Sequence, residues 1–334
     1  MPSVKPWVAI TATDDFPVSM KPVRAVLRGV APLKSIPLPF SPIGEAEETR
    51  FAKMLQGAAG MLLRPGYITT TLLDRLPDLR IVAVHGAGVD QVNVDACTER
   101  GVLVTNAPGA NADAVAELTL CLMINLARRV AESAARVQAD RVWGEARHTG
   151  TELKGKTLGL IGIGQIGGRV TNIAKALGMK VCAHDPGLSA DDIRALGAQP
   201  MTFDNLLAAS DYISLHAPHT PATHHMINRK AFTTMKKGAF LINAARGPLV
   251  DEVALARALK SGKLGGAALD VLEGEPPDPD SPIFEAPNIF LTPHIGGSTV
   301  ECLDTIAGTA GTDIARFMQG KRVRHPVNKV RKTR

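Results

Sequence analysis

Residues Thr157 to Asp185 read TLGLIGIGQIGGRVTNIAKALGMKVCAHD. Leu158 to Ile161 is a short aliphatic run suited to a strand buried on both faces of a parallel sheet. It delivers the chain to Gly162, Gly164 and Gly167. Gly162 permits a tight turn, Gly164 lacks the Cβ that would keep a pyrophosphate from the main chain, and Gly167 lets the next helix pack closely on the sheet. The N–H groups opening that helix are unpaired, and the helix dipole favours an anion beside them. Ile173, Ala174 and Leu177 recur at helical spacing, Gly178 is placed to end the helix, and Lys180 to Ala183 begins a second strand. Asp185 closes it, eighteen residues after Gly167, near the offset at which a carboxylate takes the ribose hydroxyls of a dinucleotide. That carboxylate repels a 2′-phosphate, and Pro186, Gly187 and Leu188 supply no arginine to receive one, so NAD is expected rather than NADP. A glycine string alone is a weak signal; strand, helix, second strand and acid in register make it a dinucleotide site.

The chain has 334 residues, 45% of them hydrophobic and 21% charged, which fits two ordinary globular domains. Asp14 and Asp15 interrupt the first apolar run too early for a signal peptide, and Leu118 to Ala127 is about half of a membrane span. Neither export nor insertion is expected. Cys97, Cys121, Cys182 and Cys302 follow no CxxC or metal spacing and read as buried free thiols of a cytoplasmic protein. The net charge of +6 has a local origin: Lys321, Arg322, Arg324, Lys329, Arg331, Lys332 and Arg334 crowd the C-terminus. Removing those seven from the 38 basic residues leaves 31 against 32 acidic ones, so the body is near neutral. A solvated basic tail is expected, not a nucleic-acid surface.

Eight of the 23 prolines lie within the first 42 residues, where only a strand near Trp7 to Ile10 is legible. From Phe51 onward strand and helix alternate, with helices at Phe51 to Gln56 and Thr70 to Leu76 and strands at Gly60 to Arg64, Arg80 to Val84 and Gly101 to Val104. Ala112 to about Val130 is a long helix apolar around most of its circumference, so it is buried in a core or against another subunit. The stretch from there to Thr151 carries Trp143 and few helix signals. Strands resume at Tyr212 to Leu215, Phe240 to Ala244, Ala267 to Val271 and Ile289 to Thr292, with a helix at Val253 to Lys260. Ser298 with Glu301 has the spacing of a capping box for a C-terminal helix. The fold class is therefore α/β, with two Rossmann-like parallel-sheet domains.

Ligands of open parallel sheets bind beyond the carboxyl ends of the strands, so residues just after each strand carry the chemistry. Arg246 follows Phe240 to Ala244, Glu275 follows Ala267 to Val271, and His294 follows Ile289 to Thr292. Reducing a 2-oxo acid requires a cation for the carboxylate, a proton donor for the carbonyl oxygen, and an anion that keeps the donor protonated. Arginine is a planar, permanently charged fork suited to the first task. A histidine paired with a carboxylate suits the others. Individually, Arg246 also reads as a surface ion pair, Glu275 as a loop acid and His294 as a strand-end cap; their joint placement argues for catalysis. His219, His224 and His225 cluster, but no cysteine or carboxylate is expected to complete a metal set, so a solvent-facing loop and no metal are expected. Glu45, Glu47 and Glu48, and Asp278 with Asp280, read as solvated faces and loops.

Asn106-Ala-Pro-Gly-Ala-Asn, Gly162-Ile-Gly-Gln-Ile-Gly, His184-Asp-Pro, His216-Ala-Pro, Asn243-Ala-Ala-Arg-Gly, Leu269-Asp-Val with Glu275-Pro, and Thr292-Pro-His-Ile-Gly-Gly resemble, in this order, the D-isomer-specific 2-hydroxyacid dehydrogenases. The resemblance runs from about Gly60 to Gly311 and implies that Arg246, Glu275 and His294 form the catalytic triad. It implies that Gln165 and Ile166 hold the pyrophosphate, that Ala217, Pro218, Ala244, Ala245 and Gly296 line the cofactor beside Arg246 and His294, and that Asp270 holds the nicotinamide carboxamide. The loop Gly86, Ala87 and Gly88 is implied to offer N–H groups to the substrate carboxylate. Residues 1–106 and 297–334 correspond to the family's substrate domain and 107–296 to its NAD-binding domain. The segment 111–147 is implied to form a homodimer, with Trp143 reaching the partner's active site.

His85 stands where many members carry arginine, the loop at Arg64-Pro-Gly differs from the phosphoglycerate-oxidising branch, and no regulatory domain is expected after Arg334. Reduction of hydroxypyruvate or glyoxylate is expected, because nothing in the chain announces a phosphate or bulky pocket, with a phosphoglycerate dehydrogenase-like enzyme and a dinucleotide-sensing corepressor-like interaction protein as alternatives. Related formate dehydrogenases carry glutamine where this chain has Glu275.

Overall fold

The computed structural model describes residues 6–141, 143 and 149–330. The chain divides into two compact units, Met1–Asn111 with Ser298–Arg334, and Ala112–Gly297.

In the first unit, strands β1 (Trp7–Thr11), β2 (Leu33–Ile36), β3 (Ala58–Leu63), β4 (Ile81–Val84) and β5 (Leu103–Thr105) form one sheet ordered β2-β1-β3-β4-β5. All pairings are parallel. Helices α1 (Met20–Leu27), α2 (Glu45–Leu55), α3 (Thr70–Asp74) and α4 (Val94–Glu99) make the crossovers, and the last helix, α12 (Val300–Met318), packs on α1, β3 and β4. Strands covered on both faces are largely apolar, and β1 and β4 are buried at every position, with the one polar side chain, Thr11, donating to the Pro65 carbonyl.

The second unit holds β6 (Thr157–Ile161), β7 (Lys180–His184), β8 (Gln199–Pro200), β9 (Tyr212–Leu215), β10 (Ala239–Asn243), β11 (Leu264–Leu269) and β12 (Ile289–Leu291) in the order β12-β11-β10-β9-β6-β7-β8, again all parallel. Its helices are α5 (Ala112–Arg128), α6 (Val130–Asp140), α7 (Gln165–Ala176), α8 (Ala190–Ala195), α9 (Phe203–Ala209), α10 (Arg229–Thr234) and α11 (Glu252–Lys260). The chain winds outward from β6 in one direction, returns, and winds from β9 in the other. The reversal between β6 and β9 is where a doubly wound sheet opens a ligand crevice.

Several expectations are corrected. Val130–Asp140 is helical, not irregular: Arg129, at φ 52°, breaks the path of α5, and the Asn125 side chain accepts from the Ala131 N–H to start the new helix. The cap of α12 is Thr299, one residue later than Ser298, because the Thr299 side chain accepts the Cys302 N–H. Glu48 is not on a solvated face; it is 6% exposed and accepts the Thr69 hydroxyl at 2.6 Å. Cys121 is exposed on α5, whereas Cys97, Cys182 and Cys302 are buried.

The basic tail is partly docked. The Val327 N–H bonds to the Val104 carbonyl, the Asn328 side chain accepts the Val104 N–H, and buried Asp313 accepts the Arg324 and His325 N–H groups. Lys321, Arg322, Arg324 and Lys329 nevertheless face solvent, while Arg331, Lys332 and Arg334 lie outside the described residues. No helix among the described residues is long and apolar enough to cross a membrane.

Candidate active site

Parallel pairing puts every strand's carboxyl end on one edge of the second sheet, and the register aligns those ends. Ile161 pairs with His184 and Leu215, Asn243 with Leu215 and Leu269, and Leu269 with Leu291. The residues that follow, Gly162, Asp185, His216, Ala244, Asp270 and Thr292, therefore emerge side by side. Main-chain bonds extend the ladder past the strands: the His216 N–H reaches the Ile161 carbonyl, Asp270 reaches Asn243, and Thr292 reaches Leu269.

At Gly162, φ is +88°, and a Cβ would stand 2.8 Å from the His216 backbone. At Gly167 a Cβ would meet the Gly162 carbonyl oxygen at 2.5 Å. Gly164 differs, because nothing lies within 4 Å of its Cβ position. Two glycines thus bring main chain against main chain, and the third faces open space over the start of α7. No side chain caps α7, whose first N–H groups belong to Gln165 and Ile166. Asp185 is half-buried; one of its oxygens accepts the Ile163 N–H and the other the Gly187 N–H, so the acid is tied to the glycine loop. An uncapped helix start, a Cβ-free approach and a fixed carboxylate fit a dinucleotide. Ala217 and Pro218 follow β9, and Ala244 and Ala245 follow β10, on this edge.

Arg246, Glu275 and His294, the residues expected to form the triad, follow three adjacent strands, β10, β11 and β12. His294 Nδ1 lies 2.6 Å from Glu275 Oε2, while Glu275 Oε1 accepts the Leu272 N–H at 3.3 Å. Burial is the largest influence on the His294 pKa and pushes it down. The Glu275 hydrogen bond and the charges of Glu275 and Asp270 oppose it, Arg246 adds a smaller downward push, and the balance lies above the ordinary 6.5. Arg246 is thus close enough for its charge to act on His294, and its Nη1 donates to the Ala245 carbonyl.

Two buried residues hold this geometry, and neither role was read from the sequence. Asn243, 1% exposed, accepts the Ala245 N–H and donates to the Arg246 carbonyl, which staples the turn that presents Arg246. Asp270, 2% exposed, accepts the Thr292 hydroxyl, the Ile295 N–H and the Gly296 N–H, and its carbonyl takes the His294 N–H. It thereby holds His294 in the left-handed region, at φ 55°. A polar residue ending an otherwise apolar strand was the available signal for both.

In the first unit, Gly86 to Gly88 follow β4, and the Asn106 side chain donates to the Ala87 carbonyl at 2.6 Å. Beside this loop, Arg64 Nη1 lies 3.4 Å from His85 Nδ1; Arg64 Nε and His85 Nε2 are buried with no hydrogen-bond partner among the described residues. Burial first, then the Arg64 charge, lowers the His85 pKa to about 4, so the ring is neutral at physiological pH. The absence of a carboxylate near His219, His224 and His225 is corrected: Glu273, distant in sequence, places Oε1 at 2.9 Å from His225 Nε2.

Residues 120–296 match the model of the D-isomer specific 2-hydroxyacid dehydrogenase NAD binding domain. The D-3-phosphoglycerate dehydrogenase of Archaeoglobus fulgidus is 40% identical over 261 residues, which cover 78% of this chain and 49% of that protein. The chain spans about half the length of such curated relatives. A glyoxylate reductase structure from Paecilomyes thermophila superposes with a TM-score of 0.84 at 29% identity, covering 98% of this chain and 99% of that one. The D-lactate dehydrogenase of Aquifex aeolicus, complexed with NAD and lactic acid, gives 0.81 at 32% identity, covering 94% and 96%.

Proposed function

The chain belongs to the D-isomer-specific 2-hydroxyacid dehydrogenases, and from that premise we propose that it interconverts a small 2-oxo acid and its D-2-hydroxy acid with NAD as cofactor. The observation that carries the reading is the 2.6 Å contact of His294 with Glu275, made on the same sheet edge as Arg246 and the Gly164 opening. When bound, the dinucleotide supplies or accepts the hydride. Arg246 receives the substrate carboxylate through its planar N–H fork. The Gly86, Ala87 and Gly88 N–H groups are proposed, from the family resemblance, as substrate-binding groups of the first unit. Glu275 takes up Nδ1 of His294 and leaves Nε2 to donate a proton to the carbonyl oxygen in reduction and to accept it in oxidation. Asp185 is assigned to the ribose hydroxyls, and Gln165 and Ile166 to the pyrophosphate.

Hydroxypyruvate or glyoxylate is the substrate class favoured by this reading. A phosphorylated three-carbon acid is the second, supported by the phosphoglycerate dehydrogenases among the relatives. A homodimer is assigned to residues 111–147, since Ile124, Val130, Val137 and Trp143 leave apolar surface exposed there; residues 142 and 144–147 lie outside the described residues. The four free thiols fit a cytoplasmic setting.

NADH and NADPH are to be tested against glyoxylate, hydroxypyruvate, pyruvate and phosphohydroxypyruvate. NADH consumption with the unphosphorylated acids supports the first reading, and preference for phosphohydroxypyruvate supports the second. NADH binding without turnover of any of them points instead to a dinucleotide-sensing interaction protein. His294→Ala is expected to lower kcat by about 10²- to 10⁴-fold with NADH affinity retained. Unchanged turnover would refute the proton role.

A further inference from the structure

The loop that follows β9 carries His219, His224 and His225, residues that the proposed reaction does not use. His225 adopts φ 47°, a left-handed backbone uncommon outside glycine. It is held there by its N–H on the Pro248 carbonyl and by the Asn228 side chain on its own carbonyl. In an extended chain, adjacent side chains point to opposite sides. Here the turn lays the two imidazoles together, with centroids 4.0 Å apart and planes inclined by 18°. Glu273 arrives from the segment after β11, its Oε1 2.9 Å from His225 Nε2. One nitrogen from each of the two rings and a Glu273 oxygen all lie within 4.8 Å of one another. His219 Nε2 is 3.3 Å from His224 Nδ1.

We propose that His224, His225 and Glu273 bind a divalent transition metal of the zinc class, with His219 completing or supporting the set. Two imidazoles and one carboxylate are the donors that zinc accepts, with a further position left to solvent or to a third ring. His219, with its Nε2 3.3 Å from His224 Nδ1, is near enough to orient that ring or to add a third imidazole. Charge also favours a cation. Glu252 accepts the Glu273 N–H at 2.6 Å and feels the charges of Glu273 and Glu275, so three carboxylates crowd this corner. His225 and Glu273 remain 35% and 42% exposed, which leaves the metal an entry path. Bound there, the ion ties the loop after β9 to the segment that carries Glu275.

The test uses the full chain without a histidine tag, stripped with chelator and titrated with Zn²⁺ by calorimetry and with Co²⁺ by visible absorption. One equivalent per chain, a Co²⁺ ligand-field band and a rise in melting temperature are expected. The His224→Ala/His225→Ala and Glu273→Gln variants should each weaken binding at least tenfold, while apo melting temperature and NADH affinity confirm their fold. His294→Ala should retain the site. Binding unchanged in the double variant, binding lost in His294→Ala, or no binding by the parent at micromolar Zn²⁺ would each overturn the proposal.

Discussion

His294 is pulled in opposite directions by burial and by two acids, and the acids prevail. Because the folded pKa is raised, the stabilisation from the His294–Glu275 pair is fully present below 6.5 and is lost as pH rises through the folded value. The proposed reduction needs the protonated ring, so its rate should fall on the alkaline side at that raised pKa. Glu275→Gln removes the anion but keeps a hydrogen-bonding side chain. The alkaline limb should then move to lower pH, as expected for loss of an adjacent opposite charge. A pH profile of kcat/KM for both proteins checks this, and coincident limbs would refute the pairing as the source of the shift. Arg246, Glu275 and His294, the residues proposed as the triad, could be picked out in the sequence because each has a distinctive chemistry and a strand before it. Asn243 and Asp270 were less so. Their work lies in hydrogen bonds to the next turn, and one-letter patterning does not reveal which N–H groups a carboxylate will gather.

At the scale of elements, the turns after β10 and β11 must meet backbone to backbone. A Cβ on Gly247 would lie 1.9 Å from the Leu272 carbonyl group and 2.4 Å from the Glu273 nitrogen, positions that no side-chain rotation can relieve. Gly247→Ala should therefore push the Arg246 turn away from the segment bearing Glu275. Destabilisation at or above the upper end of the ~1–3 kcal/mol range for overpacking is expected, with a fall in kcat, read by thermal melting and steady-state rates. Parent-like values for both would show that the contact yields. Strands and long helices were readable because periodicity and buried apolar runs are local properties. The break between α5 and α6 was not, since it depends on Arg129 in the left-handed region and on the Asn125 side chain reaching the new helix. Likewise, both Ser298 and Thr299 have cap chemistry, and only the backbone path decides which of them accepts an N–H.

Across the whole molecule, each unit carries a histidine whose folded pKa is lowered to about 4: His85 in the first and His216 in the second, burial being the leading cause in both. A neutral folded form means that the unfolded chain takes up protons first. The associated stability is full above 6.5 and is lost as pH falls from there toward 4. For His85 the full swing is ~3 kcal/mol. Urea midpoints at pH 7, 5.5 and 4.5 should fall in sequence, and His85→Gln should flatten part of the dependence; an equally steep fall in that variant would show that His85 does not contribute. The amino-acid sequence alone determined the α/β class, the dinucleotide loop and the order in which Arg246, Glu275 and His294 follow their strands, because strand periodicity, glycine spacing and side-chain chemistry are written along the chain. Tertiary structure alone decided that strand ends share one register, that the tail docks on β5 and that Glu273 joins two histidines from another loop. Those outcomes depend on distances between residues far apart in sequence, which only the packing of the sheets establishes.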